Sequence, residues 1–158
     1  MVESKETSEP RANPLDELTC FNLYAAARAT NRLYNVLLAP WNLTYPQYLV
    51  LRLLWARDTA TIGEIAKCLM LDSGTTTPLV RRLETHGLVT RTRSSTDERI
   101  VTVSLTKRGQ ALEEDVAGVA YQVGAATGLG AADGLQTIQS LRTINANLAA
   151  TIAATAQP

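Results

Sequence analysis

The spacing of apolar positions changes along this chain, and each change marks an element. From Leu15 to Leu38 the sequence is rich in alanine and leucine. Asn13-Pro14-Leu15-Asp16 before it reads as a helix start, with Asn as N-cap, Pro at the first helical position and Asp in the first turn. Pro40 ends that helix. Thr44-Tyr45-Pro46-Gln47 forms a capping box and opens a helix to about Trp55. Its dense apolar run, Tyr48 to Leu54, leaves little solvent face. Thr61-Ile62-Gly63-Glu64 is another capping box, opening a short helix with Ile62, Ile65, Ala66 and Leu69 on one stripe. Asp72-Ser73 then caps a helix from Gly74 to about His86, with Leu79, Val80 and Leu83 inward and Gly87 at its C-terminal end.

Two short capped helices joined by about three residues have the spacing of a helix-turn-helix. The period next falls to two: Leu88 to Arg93 and Ile100 to Leu105 read as strands joined by the polar hairpin Ser94 to Arg99. A hairpin directly after a helix-turn-helix is a wing. Thr106 caps a fifth helix, Lys107 to Gln122, and a loop with Gly124, Gly128, Gly130 and Gly134 follows. The last helix, about Ala132 to Ala154, places Leu135, Ile138, Leu141, Ile144, Leu148 and Ile152 on one stripe along roughly 33 Å. One small winged lobe cannot cover both long terminal helices, so a second copy is expected to.

The expected fold is therefore mainly α with a two-stranded β-wing, a winged helix-turn-helix dimerising through its N- and C-terminal helices. Residues 1–12 read as a disordered tail, because they carry charge without apolar periodicity. Residues 13–158 read as one winged-helix chain, with a DNA-binding lobe at about 44–106 and dimerisation helices at 13–39 and 107–156.

Net charge is zero, from 15 basic and 15 acidic residues, which excludes a wholly basic nucleic-acid coat but not a local patch. No apolar run approaches the roughly 18 residues of a membrane span, and the polar N-terminus lacks a secretory signal, so a cytoplasmic protein is expected. Two cysteines, Cys20 and Cys68, are too few for a disulfide framework or a zinc site. Neither a metal nor a cofactor is expected.

With those elements in order, the chain resembles the MarR family of regulators over residues 15 to 156. The segment Leu71-Asp72-Ser73-Gly74-Thr75-Thr76-Thr77-Pro78-Leu79-Val80-Arg81-Arg82-Leu83-Glu84 is similar to that family's recognition helix. Asp97-Glu98-Arg99 resembles its wing, and Leu105-Thr106-x-x-Gly109 the start of its fifth helix. A narrower resemblance lies in Cys20-Phe21-x-Leu23-Tyr24-Ala25, Tyr34 and Leu43-Thr44-Tyr45-Pro46-Gln47-Tyr48-Leu49, which is similar to the organic-hydroperoxide-sensing, OhrR-like branch. That resemblance implies that Cys20 is a redox sensor and that Tyr34 and Tyr45 approach it from the other subunit. Some members of the branch carry a second cysteine in the C-terminal third. None follows Cys68 here, so a small external thiol or overoxidation replaces a two-cysteine route.

The residues themselves carry the same chemistry. Residues 81 to 108 hold Arg81, Arg82, Arg91, Arg93, Arg99, Lys107 and Arg108 against Glu84, Asp97 and Glu98, a basic surplus in a neutral protein. Ser73, Gly74, Thr75, Thr76 and Thr77 are small enough to approach a phosphate or base edge, and the helix N-terminus favours a phosphate. Arg81 or Arg82 suits guanine in the major groove, while Arg93 and Arg99 flank the hairpin that reaches the backbone or minor groove. Tyr24 lies one turn beyond Cys20, where a phenol donating to a thiolate stabilises its charge. Cys20 is expected about two turns into its helix, beyond the reach of the helix dipole. Tyr34, fourteen residues on, lies about 21 Å along the axis and cannot reach Cys20 of its own helix, so if it acts on that sulfur, as the resemblance implies, it comes from a partner subunit. Cys68 falls off the apolar stripe as a bystander, His86 solvates or caps a helix end, and Trp41 and Trp55 read as core or interface anchors.

The expected function is a DNA-binding repressor, not an enzyme, that occupies a pseudo-palindromic operator and is released when an organic hydroperoxide oxidises Cys20. The alternative within the same fold is release by a small aromatic or phenolic ligand, with Cys20 merely lining the pocket. A thiol peroxidase shares the chemistry, but this chain lacks a second cysteine placed for turnover and spends its basic residues on a winged helix, and an architectural DNA protein has no need of a thiol among tyrosines.

Overall fold

The computed structural model describes residues 13–95, 97 and 100–156; the N-terminal segment expected to be disordered and the wing residue Arg99 lie outside them. The chain forms two units, Met1–Ala117 and Gly118–Pro158.

In the first unit, α1 (Thr19–Leu38) leads through a short 3-10 turn (Ala39–Trp41) to α2 (Tyr45–Arg57). β1 (Thr59–Thr61), α3 (Ile62–Leu69) and α4 (Ser73–Thr85) follow, then β2 (Val89–Arg93), β3 (Val101–Leu105) and α5 (Lys107–Val116). α1 starts later than the Asn13-Pro14 signal predicts. The Asn13 side chain accepts from Leu15 N at 3.1 Å, and Asp16 N and Leu18 N donate to Asn13 O and Leu15 O. Those bonds make turns that compete with the helix, and Leu18 is extended, so the helix begins only at Thr19. Asn22 Nδ2 ties the turn to the helix by donating to Asp16 O and Leu18 O.

α2 is the hub of the core. Its Tyr48, Val50, Leu51 and Leu54 are buried among Leu38, Ile65, Val80, Leu83, Val103 and Leu112. The capping boxes form as expected: Thr44 N donates to Gln47 at 2.8 Å and Thr61 N to Glu64 at 2.7 Å. The sheet has one strand more than the two-stranded wing expected. β1 pairs antiparallel with β3, Ala60 opposite Val103, and gives the order β1-β3-β2. Three residues ending in a helix cap are too few to show a period of two, and only the pairing with β3 defines them.

The expected helix from Lys107 to Gln122 is two helices. α5 stops at Val116, and α6 (Val119–Ala126) begins beyond Gly118, whose missing side chain disfavours helix continuation. Gly124 lies within α6 and Gly134 within α7 (Ala131–Thr155), so the connection shrinks to residues 127–130 with Gly128 at φ +70°. α7 buries no residue of its own, and Leu135, Ile138, Leu141, Leu148 and Ile152 are all exposed along it.

Candidate DNA interface and thiol site

The recognition helix α4 is capped by Asp72, whose carboxylate accepts from Thr75 N at 2.7 Å and Thr75 Oγ1 at 2.8 Å. These bonds hold the Asp72 carboxyl below its usual value. Ser73, Gly74 and Thr75 are exposed at the helix start, as are Arg81 and Arg82 further along. Pro78 lies inside the helix on its exposed side and offers no N–H to the Gly74 carbonyl one turn back. Thr76 departs from the base-facing role expected of it. Its side chain is fully buried, at 0% exposure, and its hydroxyl donates to Asp72 O at 2.8 Å. The step of three to four residues that carries Val80 and Leu83 into the core carries Thr76 there too, so its hydroxyl turns to the backbone and away from DNA.

A cleft of about 200 Å³ runs between α4 and the sheet, lined by Thr77, Arg81, Arg91, Arg93 and Val101. Arg91 is committed within it: its Nε donates to Glu84 at 2.8 Å, its Nη2 lies 2.7 Å from the same carboxylate, and its backbone N donates at 3.2 Å. Those donors keep the Glu84 carboxyl below the usual range. The pair therefore fixes α4 on β2, and among the described residues lining the cleft Arg81 and Arg93 are in no ion pair and face an anionic backbone. Arg93→Ala is expected to weaken binding to all DNA sequences and reduce the salt-dependence slope by about one. Thr76→Ala is expected to lower stability without altering base preference. Titration binding assays at several salt concentrations check the first, and thermal melting beside a base-substitution panel the second.

The other end of α4 is clamped by the segment leading into α5. Arg108 Nη1 donates to His86 O at 3.1 Å, Thr106 Oγ1 to Gly87 O at 2.7 Å, and Thr106 N to Leu88 O at 3.0 Å. Three successive carbonyls after the helix thus have donors, and Gly87 takes the φ of +69° that the reversal needs.

At the N-terminal end of α1, Cys20 is exposed and is the helix's second residue, not two turns in. The amides of that first turn have no intrahelical acceptor and favour negative charge beside them. Tyr24, expected to face the sulfur, accepts instead from Arg28 Nη1 at 3.1 Å, with the guanidinium 5.5 Å from its ring centre. Cys68 is exposed on α3.

Tyr34 and Tyr45 meet within one chain, rings stacked at 4.1 Å and inclined by 17°. Tyr48 lies 5.6 Å from Tyr34, and Trp55 packs edge-on against Tyr48 at 6.2 Å. Sequence spacing gives no sign of this cluster, because it forms across the turn between α1 and α2. Burial raises the pKa of all three phenols above 10, and neighbouring phenols add to the rise at Tyr34 and Tyr45. The folded state therefore holds these protons more tightly than the unfolded chain. Stability from this source is complete below pH 10 and declines as pH rises above it. Thermal melts from pH 9 to 11 are expected to show that decline, and Tyr34→Phe to make it shallower.

A helix-turn-helix with a basic cleft and a β-hairpin beside it defines a winged-helix DNA-binding protein. A family model described as transcriptional regulator SarA/Rot matches residues 32–116. The chain is 47% identical over 105 residues to the organic hydroperoxide resistance transcriptional regulator of Bacillus subtilis, a match covering 66% of this chain and 71% of that one. It is 46% identical over 123 residues to the HTH-type transcriptional regulator TtmR of Methylorubrum extorquens, covering 78% of this chain but only 63% of that one, under two thirds of its length. Among solved structures, reduced AbfR of Staphylococcus epidermidis bound to DNA superposes with a TM-score of 0.74 at 31% identity, over 84% of this chain and 91% of that one. The chain belongs to the MarR/SarA family of transcriptional regulators.

Proposed function

We propose that this chain is a homodimeric repressor that holds a pseudo-palindromic operator and lets go when an organic hydroperoxide oxidises Cys20. The observation that carries the reading is Cys20 itself, exposed in the first turn of α1 in a chain 47% identical to a regulator named for organic hydroperoxide resistance. The Cys20 thiolate attacks the peroxide, the O–O bond breaks, and the products are a cysteine sulfenic acid and an alcohol. The sulfenic acid then condenses with a small thiol, or is oxidised further when none is present. A second copy supplies Tyr34 and Tyr45 to the thiol and covers the apolar stripe of α7. Oxidation disturbs that packed contact and moves the recognition helices off successive grooves, because close-packed interfaces shift between discrete arrangements. DNA contact rests on Ser73, Gly74, Thr75, Thr77, Arg81, Arg82 and Arg93, with Arg99 on the wing.

A second reading, release by a small aromatic ligand, is favoured by one feature, although Cys20 does not line the cavity as that reading expects. A cavity of about 500 Å³ lies among the 3-10 turn, the end of α4 and α5, with Trp41, His86, Arg108 and Asp115 in its wall. Gel shifts with reduced and peroxide-treated protein separate the two. Wild type and Cys68→Ser are expected to lose DNA on treatment, and Cys20→Ser to hold it in both states. If wild type holds DNA equally in both, the thiol reading fails and the ligand reading replaces it.

A further inference from the structure

The Tyr34–Tyr45 stack is built more rigidly than packing alone requires. Tyr45 is the first residue of α2, where a backbone N–H has no partner in its own helix. That N–H donates to Asn35 Oδ1 at 2.8 Å, and Asn35 is oriented in turn by donating its Nδ2 to Asn31 Oδ1 at 2.8 Å. The residue after Tyr34 therefore holds the backbone of Tyr45, and the two rings are set face to face across the α1–α2 turn. A centroid separation of 4.1 Å is closer than aromatic pairs ordinarily adopt. Both rings are half-buried, which leaves water close enough to take protons.

We propose that this pair is a site of oxidative cross-linking, at which one-electron oxidants derived from organic hydroperoxides join Tyr34 to Tyr45 as a dityrosine. The oxidant is the alkoxyl radical released when a hydroperoxide is cleaved by a one-electron reductant such as ferrous iron. Two alkoxyl radicals each take a hydrogen atom from a phenol and leave as alcohols, producing two phenoxyl radicals. These form one carbon–carbon bond between ring positions ortho to the oxygens, and each ortho hydrogen then moves to its oxygen to restore the ring. The product lacks two hydrogens and covalently staples the end of α1 to the start of α2. This chemistry is separate from Cys20, a two-electron centre. It gives the chain an irreversible response to radical damage beside the reversible one proposed for the thiol.

Among the five tyrosines of the chain, Tyr24 and Tyr121 are exposed and have no such ring partner among the described residues. Trypsin cuts after Arg32 and Arg52, so Tyr34 and Tyr45 share the peptide 33–52. The full-length Cys20→Ser, Cys68→Ser protein, which removes both exposed thiols, is treated with cumene hydroperoxide and ferrous iron, and separately with a photo-oxidised ruthenium tris-bipyridyl complex. The expected result is dityrosine emission from single chains separated under denaturing conditions, with peptide 33–52 lighter by two hydrogens and lacking fragment ions between positions 34 and 45. Tyr45→Phe and Tyr34→Phe, which keep a stacked ring but lose the phenol, abolish that product, and Tyr24→Phe with Tyr121→Phe retains it. An unmodified peptide 33–52, dityrosine found only between chains, or emission unchanged in Tyr45→Phe overturns the proposal. None of these outcomes bears on whether Cys20 controls DNA binding.

Discussion

Replacing Gly109 by alanine is expected to unfold the DNA-binding unit at temperatures the wild type survives. A Cβ built on Gly109 lies 2.0 Å from the Leu88 carbonyl oxygen, 3.0 Å from its carbon and 3.2 Å from Leu105 Cδ2. The nearest atoms are backbone and cannot rotate away, so α5 must retreat by more than an ångström. Two bonds go with it: Thr106 N to the same Leu88 oxygen at 3.0 Å, and Trp55 Nε1 to Gly109 O at 2.9 Å. Overpacking a close contact and losing two partly buried hydrogen bonds together cost about 4 kcal/mol. That is a large share of the 5–15 kcal/mol that ordinarily separates folded from unfolded chains. A fall in melting temperature of about 10 °C or more follows. Gly63→Ala is the control, because nothing lies within 4 Å of a Cβ there and alanine suits a helix better. Equal melting temperatures for the two variants and the wild type would refute the close contact.

The same contact shows what the sequence made legible and what it did not. Leu105-Thr106-x-x-Gly109 is recognisable as a helix start because Thr106 is a cap, and the structure adds why the glycine belongs there. Its bare Cα lets α5 lie against the carbonyls that end the recognition helix. Elements declared by a cap and a period, α2, α3, α4 and the β2–β3 hairpin, are readable from the chain. Those set by a competing or distant partner are not. Asn13 carries a cap's chemistry but spends it on a turn, β1 exists only through β3, and Gly118 interrupts an otherwise continuous apolar pattern. At the proposed site, residue type points to Arg81 and Arg82 on the exposed side of α4 and to Arg93 on β2, but not to the pairing that removes Arg91 or the burial of Thr76. Each depends on which way a side chain turns once the core has formed. The sequence puts Cys20 in its element but one turn too deep, because Asn13-Pro14 signals a helix start that the chain spends on a turn.

A charge placed in the α7 stripe is expected to abolish tight DNA binding without touching the recognition helix. Along α7, Leu135 is 65% exposed, Ile138 47%, Leu141 40%, Leu148 55% and Ile152 67%, a contiguous apolar row with no cover from its own unit. Burying one such side chain against a second copy contributes about 1.5–3 kcal/mol. The row is therefore enough to drive association, and dimerisation is the reading it supports. Aspartate at Leu141 and Leu148 places unpaired charges in the seam, whose desolvation nothing repays. Sedimentation of wild type at micromolar concentration is expected to give twice the chain mass, and of the double variant one. The operator then meets a single recognition helix, and losing the linked second half-site lowers affinity on the order of a thousandfold. Thr143→Asp, exposed on the side of the helix away from that row, is expected to leave both mass and affinity unchanged. Because neither leucine lies in the unit that carries α4, circular dichroism of the double variant should retain the winged-helix signal while DNA binding is lost. A wild-type monomer that still binds the palindrome at full affinity would remove the dimer from this account.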